Sequence, residues 1–356
     1  MPPASPLADG HRPRLTPAVA DARRAVREAL ADLPERSLVL VALSGGPDSL
    51  ALAAALAFEA PRLGLRAGAI TVDHGLQAES ASVAQRAAQA ARDLGLDPVR
   101  VERVHVAGPG GPEAAARDAR YAALERSARE LGAAAVLLGH SLDDQAETVL
   151  LGLARGSGTL SIAGMAPVMD GLYRRPLLGL RRAALAQACT DQGLEPWRDP
   201  HNDDERFARV RVRRSILPHL EEHLDAGIVE ALARTAAIAR EDAEALDHMV
   251  EEVAEDLAEL AEAGCSLSVA GLAANPPALR HRLIRLVVRN EFGASISRTQ
   301  TLEVARLVTD WHGQGPVHLP GVRVERAGAR IVFSLALENE HVPDERLPDD
   351  HEPDRP

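Results

Sequence analysis

The chain has 356 residues and a formal net charge of −12, and 46% of its residues are apolar while 2% are aromatic. This length favours two domains with cores of Ala, Val and Leu, and without a signal peptide or an apolar run near the ~20 residues of a membrane span we expect a cytoplasmic protein with no membrane partner. All 40 basic residues are arginine, which excludes a Walker A loop and any Schiff base on the protein.

The first predicted elements form an alternating series after a polar N-terminus, 1–14, that we expect to be disordered. Thr16 and Pro17 open a helix that runs to about Leu33. Four strands follow, separated by helices of ten residues or more; the strands are Ser37–Leu43, Ala67–Val72, Val99–Val106 and Ala134–Leu138. The helices are Asp48–Phe58, Ala78–Leu94, Glu113–Leu131 and Asp143–Leu153. This alternation predicts an α/β domain over 15–218, with a parallel sheet that binds ligands at the carboxyl ends of its strands.

The character of the sequence changes after Pro218. Glu221–Glu262 reads as a long acidic helix, and Ala278–Arg289 and Thr299–Val308 read as shorter amphipathic helices. The alternating residues around Gly328 predict a hairpin. We therefore expect a helical linker and a smaller α+β domain over 219–337, followed by a disordered acidic tail at 338–356.

The hexapeptide SGGPDS, Ser44–Ser49, stands between the first strand and its helix. Gly45 and Gly46 let backbone N–H groups approach a phosphate, and the helix begun by Pro47 adds its dipole. Ser44 and Ser49 offer hydroxyl groups. Asp48 would repel a phosphate unless a cation lies between them, so the motif predicts Mg²⁺ beside a bound nucleotide.

Three further loops follow strands of the same sheet. Asp73 and His74 end the second strand, where the nucleoside of a bound nucleotide is expected, although Asp73 could equally be a turn residue. His140 and Asp144 belong to GHSLDD, in which Asp144 could bind Mg²⁺ or act in proton transfer. On the Glu113 helix, Arg117 lies on one side with Arg120 and Tyr121 and could neutralise negative charge on a bound ligand, or Glu113 and Arg117 could simply form a helix-stabilising pair.

SGGPDS looks like the PP-loop of the ATP pyrophosphatases, whose fold resembles that of the adenine nucleotide α-hydrolases. Five further segments resemble, in order along the chain, the motifs of tRNA(Ile)-lysidine synthetases in their short form. These segments are VDHGL, EAAARDARY, GHSLDDQAETVLLGLARGSG, RRPLL and WRDPHNDDERFARVRVRRSILPHL. The resemblance covers about Val39 to Leu220, and the LPGVRVERAG hairpin is similar to the second domain of that family. One position departs from the pattern, because Val210 follows Arg209 where the family usually has Asn.

This resemblance implies a ligase that uses ATP, Mg²⁺ and free L-lysine to modify the wobble cytidine of a tRNA(Ile) with a CAU anticodon. Cytosine O2 would attack the α-phosphorus of ATP, and the lysine ε-amine would then displace AMP from C2. The implied catalytic residues are Asp48, Arg117, His140 and Asp144, with Asp48 and Asp144 as metal ligands; the oligomeric state stays open.

Arginines at two places are predicted to contact the tRNA. Arg155 follows the GHSLDD helix, where it could equally be a helix C-cap. Arg209, Arg211 and Arg213 alternate with valines: a strand would place all three on one face, whereas a helix would place only Arg209 and Arg213 together. The competing interpretation pairs these arginines with the loop carboxylates Asp199, Asp203 and Asp204.

Two alternatives belong to other classes of protein. A PP-loop tRNA thiolase would need cysteines for sulfur transfer or an iron–sulfur cluster, whereas Cys189 and Cys265 are the only two in the chain and are expected to be plain buried thiols. A non-catalytic tRNA-binding or nucleotide-binding module would not need the intact SGGPDS motif or Asp144.

Overall fold

The computed structural model describes residues 15–75, 79–106, 112–156, 158–197, 199, 203–261 and 264–336. The two segments predicted to be disordered, 1–14 and 338–356, lie outside these residues. The chain divides into two compact units, the first ending at Arg240 and the second beginning at Glu241. The division falls inside a helix, 22 residues after the predicted boundary at 218/219, which stays a prediction.

The first unit contains the predicted alternation of strands and helices. Its helices up to GHSLDD are α1 (Pro17–Leu30), α2 (Pro47–Glu59), α3 (Ser80–Asp93), α4 (Pro112–Leu131) and α5 (Leu142–Ala154). The strands between them are β1 (Leu38–Ala42), β2 (Arg66–Asp73), β3 (Val99–Arg103) and β4 (Ala133–Leu138). Every predicted strand and helix in this part of the chain is present, with ends that shift by a few residues.

A six-stranded sheet with the strand order β3-β2-β1-β4-β6-β5 organises this unit, where β5 is Val168–Met169 and β6 is Tyr173–Arg174. Strands β3, β2, β1, β4 and β6 are parallel, and β5 pairs antiparallel with β6 at the edge. The unbroken apolar sequence of β1 reflects burial on both faces, since Val39 and Val41 pack in one core cluster and Leu38 and Leu40 in another. β1 is thereby central, and the SGGPDS turn at its carboxyl end lies between the loops that follow β2 and β4.

A short helical segment closes the first unit. After α6 (Thr159–Ile162) and α7 (Arg182–Asp191), the chain forms α8 (Ala208–Arg211), a π-helical turn (Val212–Ile216) and α9 (Leu217–His223). Val212 and Leu217 are buried against Ala146 of α5, and burying a side chain of this size stabilises the fold by about 1.5–3 kcal/mol. This contact holds the arginine-rich segment against α5.

The second unit is a small antiparallel sheet packed with helices. It contains the end of α10 (Ile228–Leu257), followed by α11 (Val269–Ala274), α12 (Pro277–Phe292) and α13 (Arg298–Thr309). The sheet has the order β7-β8-β11-β10-β9, with β7 (Ala258–Ala261), β8 (Gly264–Ser268), β9 (Val317–Leu319), β10 (Val322–Ala327) and β11 (Arg330–Leu335). The predicted hairpin at Gly328 is confirmed, because β10 and β11 pair up to Ala327 and Arg330.

One prediction for the second unit is wrong. The acidic stretch 221–262 is not a single helix, since a turn separates α9 from α10 and the last residues form β7. β8 was not predicted, and its Cys265 and Leu267 are buried in the core of this unit. The strand pairing of β7 with β8 overrides the helical periodicity that precedes it.

Candidate active site

The SGGPDS turn packs closely on itself. Gly45 has a φ of +87°, which favours glycine. The hydroxyl oxygens of Ser44 and Ser49 lie 3.0 Å apart, and Ser49 Oγ also lies 3.0 Å from the carbonyl oxygen of Gly46. Pro47 is the first residue of α2, with Gly46 as the N-cap. The turn therefore presents the N-terminus of a 13-residue helix, where backbone N–H groups attract an anion.

The loop after β4 approaches this turn because Gly139 has no side chain. A Cβ atom at Gly139 would lie 2.9 Å from the backbone nitrogen of Ser49 and 3.1 Å from the carbonyl carbon of Asp48. Real Cβ atoms essentially never come so close to backbone atoms, so a larger residue would push the two loops apart. Gly139 thereby sets His140 and the start of α5 beside the SGGPDS turn.

A cavity of about 110 Å³ lies where the loops after β1, β2 and β4 meet. Its polar lining residues are Ser44, Ser49, His74, Arg120 and His140. His74 Nδ1 and Arg120 Nε are buried without a hydrogen-bond partner, and burial lowers the pKa of both side chains. Orphaned polar atoms at a cavity are what a polar ligand would satisfy.

Asp73 stabilises the loop after β2. It is 5% exposed, and its Oδ1 accepts a hydrogen bond of 3.0 Å from the backbone N–H of Gly75. A hydrogen bond from Ser80, together with the one from Gly75, lowers the pKa of Asp73. These contacts fit the turn-residue interpretation, whereas His74 lines the cavity. The nucleotide-binding role predicted for Asp73 stays a prediction.

Asp144 is a capping residue of α5 as well as a site residue. Its Oδ2 accepts hydrogen bonds of 2.9 Å from the backbone N–H and the hydroxyl of Ser141, which is the N-cap. Its Oδ1 lies 2.9 Å from Arg182 Nη2. Burial alone would raise the pKa of Asp144, but Arg182 and Arg209 outweigh burial and lower it. Asp144 is therefore ionised and held in place.

Glu147 is a buried carboxylate at the centre of three half-buried arginines, and we call this cluster the Glu147 clamp: Glu147, Arg182, Arg209 and Arg213. Its side chain is fully buried, and its oxygens lie 3.1 Å from Arg182 Nη2, 2.8 Å from Arg209 Nε and 2.7 Å from Arg213 Nε. The clamp joins α5 to α7 and to the segment of α8 and the π-helical turn. It also touches the capping residue, because Arg213 and Arg209 approach Asp144 Oδ1 to 3.5 and 4.0 Å.

Asp48 is the least satisfied carboxylate of the site. Its Oδ1 is buried without a hydrogen-bond partner, and its Oδ2 lies 3.6 Å from Arg182 Nε. Burial, and after it the charge of Asp144, raises the pKa of Asp48 to about 7. Two neighbouring carboxylates with one orphaned oxygen fit a cation, since Mg²⁺ is commonly held by one or two carboxylates together with substrate phosphates. Among the described residues, no group of three or more His, Cys, Asp or Glu could hold a metal without such a substrate.

His140 lines the cavity in its neutral form. Burial lowers its pKa to about 3, and the nearby Arg175, Arg120 and Arg209 act in the same direction, while Asp144 opposes them. An imidazole with this pKa carries no charge near neutral pH. His140 therefore lies at the cavity, where its side chain acts as a neutral ring.

The arginines predicted to bind tRNA occupy different environments. The segment is helical, so Arg209 and Arg213 share a face as expected for a helix, and both contact Glu147 rather than the loop carboxylates of the competing interpretation. Arg211 is exposed and donates to the carbonyl oxygens of Glu205 and Arg206. Arg155 is exposed and is the C-cap of α5. The tRNA role of these four arginines stays a prediction.

Arg120 rather than Arg117 lines the cavity. Arg117 is exposed, and its guanidinium lies 5.0 Å from the ring centre of Tyr121. The alternative partner Glu113 has no described side chain. Both arginines are on α4, but only Arg120 projects to the carboxyl end of β1. The predicted catalytic role of Arg117 stays a prediction.

Sequence reasoning missed Arg182 entirely. It is the first residue of α7, after the N-cap Arg181, and it touches Asp48, Asp144 and Glu147. Two cations at a helix N-terminus oppose the helix dipole. The two arginines at this helix start are visible in the sequence. They could have indicated Arg182 as a site residue, because positive charge at a helix N-terminus needs nearby carboxylates to compensate for it.

Trp197 and the two cysteines have structural contacts. The backbone N–H of Trp197 donates to the carbonyl oxygen of Gly45 at 2.9 Å, which ties the chain after α7 to the SGGPDS turn. Cys189 and Cys265 are free and buried, as predicted. Burial raises the pKa of Cys189 to about 11, so its thiol is inert at neutral pH.

Family models match both units. A model described as a PP-loop domain matches residues 19–220, and a model described as the TilS substrate binding domain matches residues 267–331. Among the described residues, no helix is long and apolar enough to cross a bilayer. The matches agree with the predicted order of a PP-loop α/β domain followed by a smaller α+β domain.

A solved structure is similar in fold. The U34-tRNA thiolase NcsA from Methanococcus maripaludis, solved with its [4Fe-4S] cluster, aligns with a TM-score of 0.52 and 20% sequence identity over 62% of this chain and 78% of its own. This likeness shows the shared fold.

Three relatives with much higher sequence identity than this thiolase share one enzyme name. A tRNA(Ile)-lysidine synthase of Leifsonia xyli subsp. xyli is 61% identical over 83% of this chain and 90% of its own. Enzymes with the same name from Thermobifida fusca and Streptomyces coelicolor are each 53% identical, over 86% and 85% of this chain and 94% and 86% of their own. The ordered motifs, the two matched domains and these identities show that the chain belongs to the tRNA(Ile)-lysidine synthase family.

Proposed function

We propose that this chain joins free L-lysine to C2 of the wobble cytidine of a tRNA(Ile) with a CAU anticodon, at the expense of ATP. Cytosine O2 attacks the α-phosphorus of ATP and pyrophosphate leaves. The lysine ε-ammonium group releases a proton to solvent, the free amine then attacks C2, and the C2–O2 bond breaks with the departure of AMP. The observation that carries the proposal is the buried, unpartnered Oδ1 of Asp48, which lies at the N-terminus of α2 near the ionised Asp144.

The phosphates of ATP are received by the SGGPDS turn. The N-terminus of α2 supplies N–H groups, and Ser44 and Ser49 supply hydroxyl groups. Arg120, which lines the adjoining cavity, is placed to neutralise charge on the leaving pyrophosphate. Mg²⁺ held by Asp48 and Asp144 would neutralise phosphate charge when it is bound.

The carboxylates at the start of α5 favour a cationic second substrate. Asp144 and Glu147 are acidic side chains about one turn apart on one helix, and both are held by arginines. A lysine ammonium group could share these oxygens with Arg182. Because arginines lower the pKa of Asp144, it is a weak proton acceptor, and we assign it to holding the ammonium group rather than to removing its proton.

The tRNA is bound through exposed cations. We assign phosphate contacts to Arg211 and Arg155, which are exposed. Phosphate contacts by Arg209 and Arg213 stay predictions, because both side chains also belong to the Glu147 clamp. The expected cytoplasmic location also stays a prediction.

Product analysis tests the reaction. The purified chain is incubated with ATP, Mg²⁺, radiolabelled lysine and a tRNA(Ile) transcript with a CAU anticodon, and the nucleosides are then separated. We expect lysine in the wobble nucleoside, with AMP and pyrophosphate formed together. A matched transcript with uridine at the wobble position should remain unlabelled. AMP formation without transfer of lysine to the tRNA would contradict the proposal.

A tRNA thiolase is the rival enzyme because of the shared fold. It is disfavoured by the cysteines: the sequence has two, both are buried, and the thiol of Cys189 donates to the carbonyl oxygen of Pro47 at 3.3 Å. Replacing lysine with a sulfur donor in the same assay separates the two reactions.

A further inference from the structure

Arg175 is a buried arginine that the proposed reaction does not use. It follows β6 and is 4% exposed. Its backbone N–H donates to the carbonyl oxygen of Pro167 at 2.8 Å, and its Nη1 donates to the carbonyl oxygen of Ala166 at 2.7 Å. Among the ion pairs of the described residues, none involves Arg175. A buried cation without a carboxylate is costly, so its position needs a reason.

The Nη2 of Arg175 donates to Met169 Sδ at 3.6 Å, and a third donor, Nε, contacts the site. Its Nε lies 3.2 Å from Nδ1 of His140. Arg175 also lines a second cavity, of about 400 Å³, between α1 and the turn after β6. Its Nε faces the imidazole ring of His140.

The direction of this hydrogen bond fixes the tautomer of His140. An arginine N–H can only donate, so Nδ1 of His140 must accept and the ring proton must lie on Nε2. His140 lines the cavity with Ser44, Ser49 and Arg120. The ring is left with a donor, Nε2–H, for whatever polar group the cavity holds.

We propose that Arg175 is a positioning residue, which holds His140 as the Nε2–H tautomer and so makes it a hydrogen-bond donor to the reacting substrate rather than a general base. The low pKa of His140, near 3, agrees with a permanently neutral ring. In the proposed reaction, Nε2–H would stabilise negative charge that develops on a phosphate or cytosine oxygen. This last step rests on the proposed function, whereas the tautomer does not.

The tautomer is measured directly by ¹⁵N NMR of the full chain labelled at its histidine rings. His140→Gln identifies the His140 signals among those of the 13 histidines. In the wild type we expect an unprotonated Nδ1 and a protonated Nε2. In Arg175→Met we expect a mixture of tautomers, and in Arg175→Lys, which keeps a donor, a partial return. A protonated Nδ1 in the wild type overturns the proposal without reference to any activity.

Kinetics give the second readout. Losing a donor oriented to a reacting group costs about a hundredfold to a thousandfold in kcat. A mixture of tautomers keeps part of that donor, so we expect Arg175→Met to lower the kcat of tRNA-dependent pyrophosphate release by about tenfold to a hundredfold, with the KM for ATP changed less than about twofold. Arg175→Lys should recover part of the rate.

The neighbouring Arg174 offers a matched control. It is also buried, but its Nη2 lies 2.9 Å from Asp32. Arg174→Met should leave the His140 tautomer unchanged. If Arg175→Met has the wild-type tautomer and kcat, the positioning role is wrong. If that variant does not fold, the wild-type spectrum and Arg175→Lys still decide the question.

Discussion

The two ends of the site treat buried charge in opposite ways. In the Glu147 clamp, one fully buried carboxylate faces three arginines at 2.7–3.1 Å. At the start of α2, six residues after the last residue of β1, Asp48 has one buried oxygen without a partner, and burial raises its pKa to about 7. The carboxylate of Glu147 thus has close charged partners, whereas one oxygen of Asp48 has no partner.

We attribute this difference to two roles: the Glu147 clamp stabilises the structure, and Asp48 belongs to the proposed reaction site. A satisfied buried network rigidifies the elements that it joins, and the Glu147 clamp joins α5 to α7 and α8. An unsatisfied buried carboxylate costs free energy, which a substrate or cation recovers when it binds. We therefore expect substitutions in the clamp to change stability first, and substitutions at Asp48 to change activity first.

The largest effect is expected from Asp48→Asn. This variant keeps the shape of the side chain but loses the charge that would hold Mg²⁺ beside the phosphates. We expect tRNA-dependent pyrophosphate release to fall at least about a thousandfold, which corresponds to roughly 4 kcal/mol. Pyrophosphate release at the wild-type rate would contradict the metal role of Asp48.

The same variant should be more stable than the wild type at high pH. Because the pKa of Asp48 is about 7 in the folded chain and 3.8 in its reference state, the folded state binds the extra proton between these values. The free energy of unfolding therefore falls as pH rises from about 4 to 7. Asp48→Asn removes this loss, so we expect its Tm to exceed that of the wild type at pH 8 and to match it at pH 4. A lower Tm at pH 8 would mean that Asp48 stabilises the fold.

Glu147→Gln tests the clamp. It leaves three arginines without their shared buried charge, and breaking a buried pair from one side typically costs about 3–5 kcal/mol. Urea unfolding measures this loss. The matched control is Glu230→Gln, because Glu230 pairs with Arg181 at 2.9 Å but its side chain is 39% exposed; we expect a loss below about 1 kcal/mol. Equal losses in the two variants would show that burial of Glu147 has no special role.

Arg211→Ala should have a smaller effect, on tRNA binding alone. Arg211 is exposed on the helix face that does not carry Arg209 and Arg213. Losing one phosphate contact should lower the slope of log affinity against log salt by roughly one, with the free energy of unfolding unchanged. In the matched variant Arg209→Ala we expect reduced stability, because Glu147 loses a partner. A reduced salt slope at unchanged stability in Arg209→Ala would place that residue on the RNA rather than in the clamp.

The smallest effect is expected from removing the acidic tail. Residues after Glu338 have no periodic apolar pattern to bury. A chain truncated after Glu338 should keep the Tm and the lysine-transfer rate of the full chain. A clear drop in either would show that the tail contributes to the fold or to tRNA binding.

The sequence was most informative where local chemistry decides structure. The glycine pair of SGGPDS, the apolar strand β1 and the helix after it were predicted almost to the residue, because turn, strand and helix preferences agree there. The end of α10 was predicted less well, since pairing of β7 with β8 is a contact between segments that helical periodicity does not report. Arg117 was chosen over Arg120 for a similar reason: both lie near Tyr121 on α4, and only the packing of that helix decides which one reaches the cavity.

The fold class, the order of the two domains, the glycine turn after β1 and the family all follow from the sequence alone, because each depends on motifs a few residues long and on their order. Only the tertiary structure decided which charges pair. Glu147 meets Arg209 and Arg213 across more than 60 positions of sequence, and His140 meets Arg175 across 35. The free energy of a buried charge depends on the partners that folding brings to it and on the water that folding removes, and neither can be read from its neighbours in the chain.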